Sequence, residues 1–527
     1  MARPLRTWAL LALTLSLAAC GGRGDYLDER IDLLPAPVAI GDALLFVDRN
    51  SDRGYLLEPD SEGGATELEL PHGPSTLFVR NGTAEALLLS SGRRASSDEG
   101  AEPASLSRVD AEGQVTTYVV ESPFDSLSQS DDGRYALLFK SGSAGQLLDN
   151  PNEIAIVDLE AEPDDGITLR TLRSFGDSPV SVIFSPEMQV VGEARRLAVV
   201  LSETNVTLLD LDHLDRRETT VQLSTPGGAP VLPTQVVFGA DEGVLYVRGN
   251  GSDDLFVFNL AERLGDEEPA GEDEGGDGPR NDFRPSINQL GVGAGPSDLE
   301  LYDVGAGKRL MVVASRNQLV SLVEASTSRV TQIPLEAPGE QALMFEATSP
   351  RDEEVALRAL VYQTGSAIVS FLDLEDAEER GTRNLETLAL DRPITKLIPM
   401  LEEQLALVIH DLDGISLIDL ADRTISPIRT NVQLQDAVFD AERRRLWVAP
   451  QGQPFVGLLD LDTGDTDEVL LDAAIGSAVP MFDAGRLAIV HGSPLGHVTW
   501  VELDDPSRDG ARSVRGFLFD GLLERGE

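Results

Sequence analysis

Short apolar runs, most of them closed by an aspartate and a leucine, recur along this chain. Residues 205–211 read NVTLLDL, and altered copies stand at 154–160 (IAIVDLE), 255–261 (LFVFNLA), 368–374 (IVSFLDL), 415–421 (ISLIDLA) and 456–462 (VGLLDLD). A second apolar run ending in small or polar residues precedes them, as at 135–142 (YALLFKSG), 196–203 (RLAVVLSE), 244–251 (VLYVRGNG), 404–411 (QLALVIHD) and 445–452 (RLWVAPQG). Self-similarity at this period marks a propeller or an array. Aligned on these runs the chain divides into about ten units, starting near Pro37, Ser75, Asp125, Val180, Thr234, Ser297, Gln341, Ile394, Leu434 and Ser477. The fourth unit shows four runs in order: 180–185, 196–202, 205–212 and 219–224. Valine, isoleucine and leucine fill them, glycine, proline and aspartate divide them, and no helical period competes. The pattern predicts an all-β fold, a β-propeller of about ten four-stranded repeats. Second strands, apolar throughout, are expected to be buried on both faces, and fourth strands, such as 386–391, to have one wet face. A single large ring is preferred because no linker divides the repeats; two smaller propellers also fit the count.

The turns carry a family resemblance. Residues 130–136, Ser-Asp-Asp-Gly-Arg-Tyr-Ala, resemble the S-P-D-G-[RK]-x-[LA] turn of YVTN and TolB-like propeller repeats. Weaker copies occupy the same slot at 185–186, 440–445 and 482–486, and 460–464 (DLDTG) resembles the D-x-x-T-G turn of those repeats. The resemblance covers the chain from about Val38, and the G-H and W-D signatures of WD-repeats are missing. It implies a propeller with a binding surface and no particular reaction.

Charge sets the chain apart. Ninety acidic residues stand against 42 basic ones, of which three are lysines, for a net charge of -48. Such a field repels nucleic acid, so no nucleic-acid partner is expected. Residues 266–282 concentrate eight acids against Arg280 and read as a disordered acidic loop inserted in one blade. At the amino terminus Arg3 and Arg6 precede an apolar stretch from Trp8 to Leu17, the build of a secretory signal peptide over 1–19. It ends in Leu17-Ala18-Ala19-Cys20, which resembles the lipobox of bacterial lipoproteins, and Cys20 is the chain's one cysteine. The resemblance implies lipidation of Cys20 and a membrane anchor. Glycines 21, 22 and 24 make residues 20–36 a flexible tether to a propeller region spanning 37–527. Gly21 stands where many such lipoproteins carry an inner-membrane retention aspartate, so the outer membrane is expected over the inner.

Candidate chemistry is sparse. Asp460, Asp462, Asp465 and Asp467 are spaced like a calcium loop, but the glycine stands fifth and no glutamate stands twelfth. His410 to Gly414 reads as a hairpin turn. His72, His213, His410, His491 and His497 lack paired-ligand spacing, although His491 and His497 flank one turn and could meet. Neither a G-x-S-x-G elbow nor a phosphate-binding P-loop is present, and Trp447 and Trp500 read as structural aromatics. No cofactor or metal is therefore expected. Inner strands offer Asp298, Glu300, Glu346 and Asp436 from different units, without a pattern. Two function classes follow. One is a lipid-anchored cell-envelope propeller acting as a non-catalytic scaffold for envelope proteins. The alternative is a lactonase-like propeller hydrolase with a carboxylate-bound metal in the central channel.

Overall fold

Every unit read from the sequence becomes a four-stranded antiparallel sheet, and the ten sheets are the blades of a β-propeller. The computed structural model describes residues 31–61, 64–93, 100–141, 150–174, 177–260, 281–305, 307–348, 355–375, 384–410, 414–429, 437–507 and 510–518. The predicted signal peptide, Cys20 and most of the tether lie outside the described residues, as do 266–280. First strands begin at Val38, Pro74, Ser126, Pro179, Leu232, Pro296, Gln341, Ile394, Ala437 and Ile475. Phe482–Ala484 is a single helical turn, and among the described residues no helix is long and apolar enough to cross a membrane.

The chain forms two compact units, Met1–Pro123 with Ser477–Glu527, and Phe124–Gly476. In the second, blades 3 to 9 follow one another, and each blade shares a hydrophobic cluster with the next. In the first, blade 1 packs on blade 2, and blade 10 packs on blade 1 through Leu44, Phe46, Trp500 and Phe517. Each blade is continuous in sequence, so side chains rather than a shared strand join the chain's two ends. Second strands are mostly buried, and completely so in Leu197–Ser202 and Leu405–His410. Fourth strands such as Thr466–Leu470 show water all but one residue.

The recurring Asp-Leu pair has a definite job. At the end of the third strand the carboxylates of Asp158, Asp210, Asp419 and Asp460 each accept the N–H two residues on, at 3.0–3.1 Å. The chain is thereby turned without an orphaned donor. The leucine that follows plugs the core. Leu159, Leu260, Leu420 and Leu503 are all fully buried. Their N–H groups donate at 2.8–2.9 Å to the carbonyl just before the second strand, at Arg134, Gly243, Gln404 and Gly485. In blades 7 and 10 an arginine of the second strand stands opposite the acid, giving Arg358–Asp373 at 3.0 Å and Arg486–Glu502 at 2.8 Å. The Ser130 turn is similarly self-contained. Asp132 accepts from the Ser130 hydroxyl at 2.5 Å and from the Arg134 N–H at 3.0 Å, while Gly133 supplies a φ of 66°.

Blade 4 carries an element that the sequence pattern does not announce. A hairpin, Met188–Val190 with Glu193–Arg195, leaves the blade between its first and second strands. It bonds to blade 5 through Gln189 N–H to Ala240 O at 2.9 Å and Val191 N–H to Leu260 O at 3.0 Å. Gly243 lies under it, where a Cβ would collide with the Gln189 carbonyl.

Candidate functional site

The inner strands of blades 5, 6 and 7 bring the most polar chemistry together. First strands of successive blades lie against one another here, so a side chain leaving one reaches the next. Several of these strands carry a proline followed by a bulge at or next to their start, at Pro74, Pro179, Pro233 and Pro296. Proline has no N–H to lose at the start of a strand or at a bulge, which makes the irregularity inexpensive there. The bulged residue is a serine or threonine in three of these blades, and its hydroxyl caps a carbonyl across the ladder. Ser75 reaches Leu89 O at 3.1 Å, Ser297 reaches Val313 O at 3.1 Å, and Thr234 reaches Arg248 O at 3.4 Å.

Asp298, two residues past Pro296, is the hub. One oxygen accepts from the Gln235 side-chain amide of blade 5 at 3.0 Å and from the Leu299 N–H at 3.0 Å. The other accepts from the Ala342 N–H of blade 7 at 2.9 Å. A single carboxylate thus ties three blades. Arg248 of blade 5 braces the same junction, donating to Gln235 at 2.6 Å, to Thr234 at 2.9 Å and to the Pro296 carbonyl at 3.4 Å. Its partners are neutral, and burial lowers its pKa against the charges of Asp298 and Glu340. Burial and the Asp298 charge raise the Tyr362 hydroxyl above its ordinary value. Glu300 stands two residues from Asp298 on the same strand, half-buried. Burial first, and the Asp298 charge second, push its carboxyl up to about 7. This set can brace strands, exchange a proton near neutrality and bond a polar group brought to it. It contains no nucleophile paired with a base.

The other residues singled out in the sequence fall elsewhere. Glu346 lies exposed on the inner strand of blade 7, and Asp436 and 411–413 fall outside the described residues. Asp460 caps its own turn, accepting from the Asp462 and Thr463 N–H groups at 3.0 Å, while Arg444 holds Asp462 at 2.7 Å. Among the described residues no group of three or more His, Cys, Asp and Glu side chains could hold a metal ion. His491 and His497 do meet, as stacked rings with centroids 4.0 Å apart, both buried. His491 bonds Thr499 at 2.8 Å, and His410 bonds Ser416 at 2.8 Å and the Pro393 carbonyl at 3.0 Å. His72 and His213 pair with Asp52 and Asp210 at 2.6 and 3.1 Å. Trp447 and Trp500 are core residues, each 1% exposed.

Sequence reasoning missed one network entirely. Arg195, 1% exposed, reaches Asp210 at 3.0 Å, Glu193 at 2.6 Å and both oxygens of Asp282 at 2.7 and 2.8 Å. Arg216 adds a further contact to Asp282 at 2.8 Å. Asn281 is buried and bonds Thr219 at 3.1 Å. The last two residues of the span read as a disordered loop are therefore anchored on blade 4. The arginine pair 195–196 just before an apolar strand, in an acidic chain, is the one local signal of that anchor.

No protein-family model and no curated protein matches the chain. Solved structures do. A dihydro-heme d1 dehydrogenase, NirN, in complex with DHE is similar over 83% of this chain and 74% of its own, at 11% identity and a TM-score of 0.42. A eukaryotic initiation factor is similar over 77% and 89%, at 12% identity and a TM-score of 0.44. Sqt1 of Saccharomyces cerevisiae is similar over 68% and 90%, at 10% identity and 0.39. All three scores lie below 0.5, and the fold assignment rests on the ten blades themselves.

Proposed function

We propose that this protein is a non-catalytic, partner-binding β-propeller, lipid-anchored through Cys20 in the cell envelope, at the outer membrane in preference to the inner. The observation that carries the reading is the use made of its polar side chains. Asp298 joins three blades, Arg248 braces them, and His410, His491 and His497 are buried on neighbouring hydroxyls, a carbonyl or one another. Most of the groups that would otherwise serve as acid, base or ligand are occupied in holding the framework. What is left for recognition is the acidic surface of a chain with net charge -48, and the partners it fits are basic envelope proteins. The lipobox-like ending at Cys20 supports the anchor, and the Ser130 turn supports kinship with YVTN and TolB-like repeats.

Crosslinking in the native cell, followed by capture at low and high salt, tests both parts. Wild type should fractionate with membranes and retain envelope proteins that release as salt rises. Cys20→Ala should move to the soluble fraction or stay unprocessed. A processed Cys20→Ala variant still in the membrane fraction overturns the anchor. Metal-dependent hydrolysis of esters or lactones by the purified protein overturns the non-catalytic reading in favour of the hydrolase.

A further inference from the structure

Among the described residues, Glu300 is the half-buried inner-strand acid at the junction of blades 5, 6 and 7 that the framework leaves unbonded. Its strand, Pro296–Asp303, lies between the inner strands Leu232–Gly239 and Gln341–Thr348. Among the described residues its carboxyl has neither a hydrogen bond nor an ion pair. Across its own sheet it stands opposite Met311, an apolar residue. From blade 5 the charged group is Arg248, already engaged with Gln235, Thr234 and the Pro296 carbonyl. From blade 7 come Glu340, ahead of the inner strand, Glu346 on it, and Tyr362 and Arg358 on the second strand, the last engaged with Asp373 at 3.0 Å. The charge that acts on Glu300 is that of Asp298, whose two oxygens hold blades 5 and 7 to blade 6.

We propose that Glu300 is a proton-operated latch on this three-blade junction. Protonated, it is a neutral neighbour, and the Gln235–Asp298–Ala342 tie stays closed. Ionised, it sets a second negative charge beside Asp298 in a half-buried place with no cation bonded to it, and the tie loosens. The sign follows from proton linkage. The closed junction holds the Glu300 proton up to about 7, against an ordinary value of 4.5, so closure is fully favoured below the ordinary value. That advantage is lost progressively as pH rises through about 7 and is constant above it. Each pH unit within that window changes the opening equilibrium by up to about tenfold.

Hydrogen exchange on the full chain, followed in peptides covering Leu299 and Ala342, tests the latch. Protection factors at both amides should fall by about tenfold between pH 5.5 and pH 8, while the Leu159 amide in blade 3 holds steady. Glu300→Gln should keep the pH 5.5 protection at both pH values. Glu300→Met, uncharged and of similar length, should do the same, and serves if the amide disturbs packing. Equal protection at the two pH values in wild type, an equal fall at Leu159, or a fall that survives in both variants overturns the latch.

Discussion

Single side chains in this protein act chiefly as ties between segments far apart in sequence. Arg195 illustrates the energetics. A buried guanidinium is tolerable only when charge and hydrogen bonds surround it, and here Asp210, Glu193 and Asp282 do so. The Arg195 hydrogen bonds, with the charges of Arg195 and Arg216, hold the Asp282 carboxyl well below the usual carboxylate range against the opposing effect of burial. Asp282→Asn should therefore destabilise the fold by about 1.5–3 kcal/mol at neutral pH, the range for hydrogen bonds to charged groups. Because the folded-state value is depressed, this contribution is present above the ordinary aspartate value of 3.8 and lost as pH falls below it. Urea unfolding should show the gap between wild type and variant closing in acid. A gap that persists unchanged at pH 2 would contradict the linkage.

At the scale of elements, the repeat is built from hairpins whose turns satisfy themselves, so blades tolerate insertions between strands. Two occur in the sequence: the hairpin Met188–Arg195 between strands of blade 4, and the acidic residues 266–282, of which Asn281 and Asp282 are described, between strands of blade 5. Asp282 meets the hairpin at Arg195. Replacing residues 266–280 by a short Gly/Ser turn, with Asn281 and Asp282 kept, should leave the denaturation midpoint nearly unchanged, since surface loop length adds little closure cost. Extending the replacement through Asp282 should lower stability by about 2 kcal/mol by removing the Arg195 and Arg216 contacts. Equal stability of the two replacements would show that the anchor contributes nothing.

For the whole molecule, the meeting of the chain's ends is the point to probe. Blades 1 and 10 are each continuous in sequence, and Phe517 and Leu518 follow the last strand into their shared core. Phe517 is 2% exposed, Leu518 is fully buried, and the Phe517 ring packs on Phe46 at 5.0 Å. The chain is pinned there by Gly516 N–H to Gly496 O at 2.8 Å and Leu518 N–H to Leu495 O at 3.2 Å. Truncation after Arg515 should cost at least about 3 kcal/mol, the loss expected for removing one buried phenylalanine. It should also expose blades 1 and 10 to proteolysis before blades 3 to 9. Truncation after Leu518 should do neither. Limited proteolysis read by mass spectrometry separates the two outcomes.

The blades were legible in the sequence because their causes are local. An apolar strand, an aspartate that caps its own turn and a leucine that plugs the core lie within a few residues of one another. The unit starts read from the pattern accordingly fall close to the observed strand starts, Ser75 beside Pro74 and Ile394 on Ile394 itself. The sequence also held the meeting of His491 and His497, six residues apart across one hairpin. The site was not legible. Gln235 and Asp298 are 63 residues apart, and Arg195 and Asp282 are 87 apart. No period or motif relates such residues, because their pairing depends on which inner strands come to lie side by side. That same placement engages Asp298 and leaves Glu300 free beside it, two carboxylates that look alike in the sequence. Tertiary structure decided the difference, since burial and the choice of hydrogen-bond donor belong to the neighbouring blades and not to the strand that carries the acids.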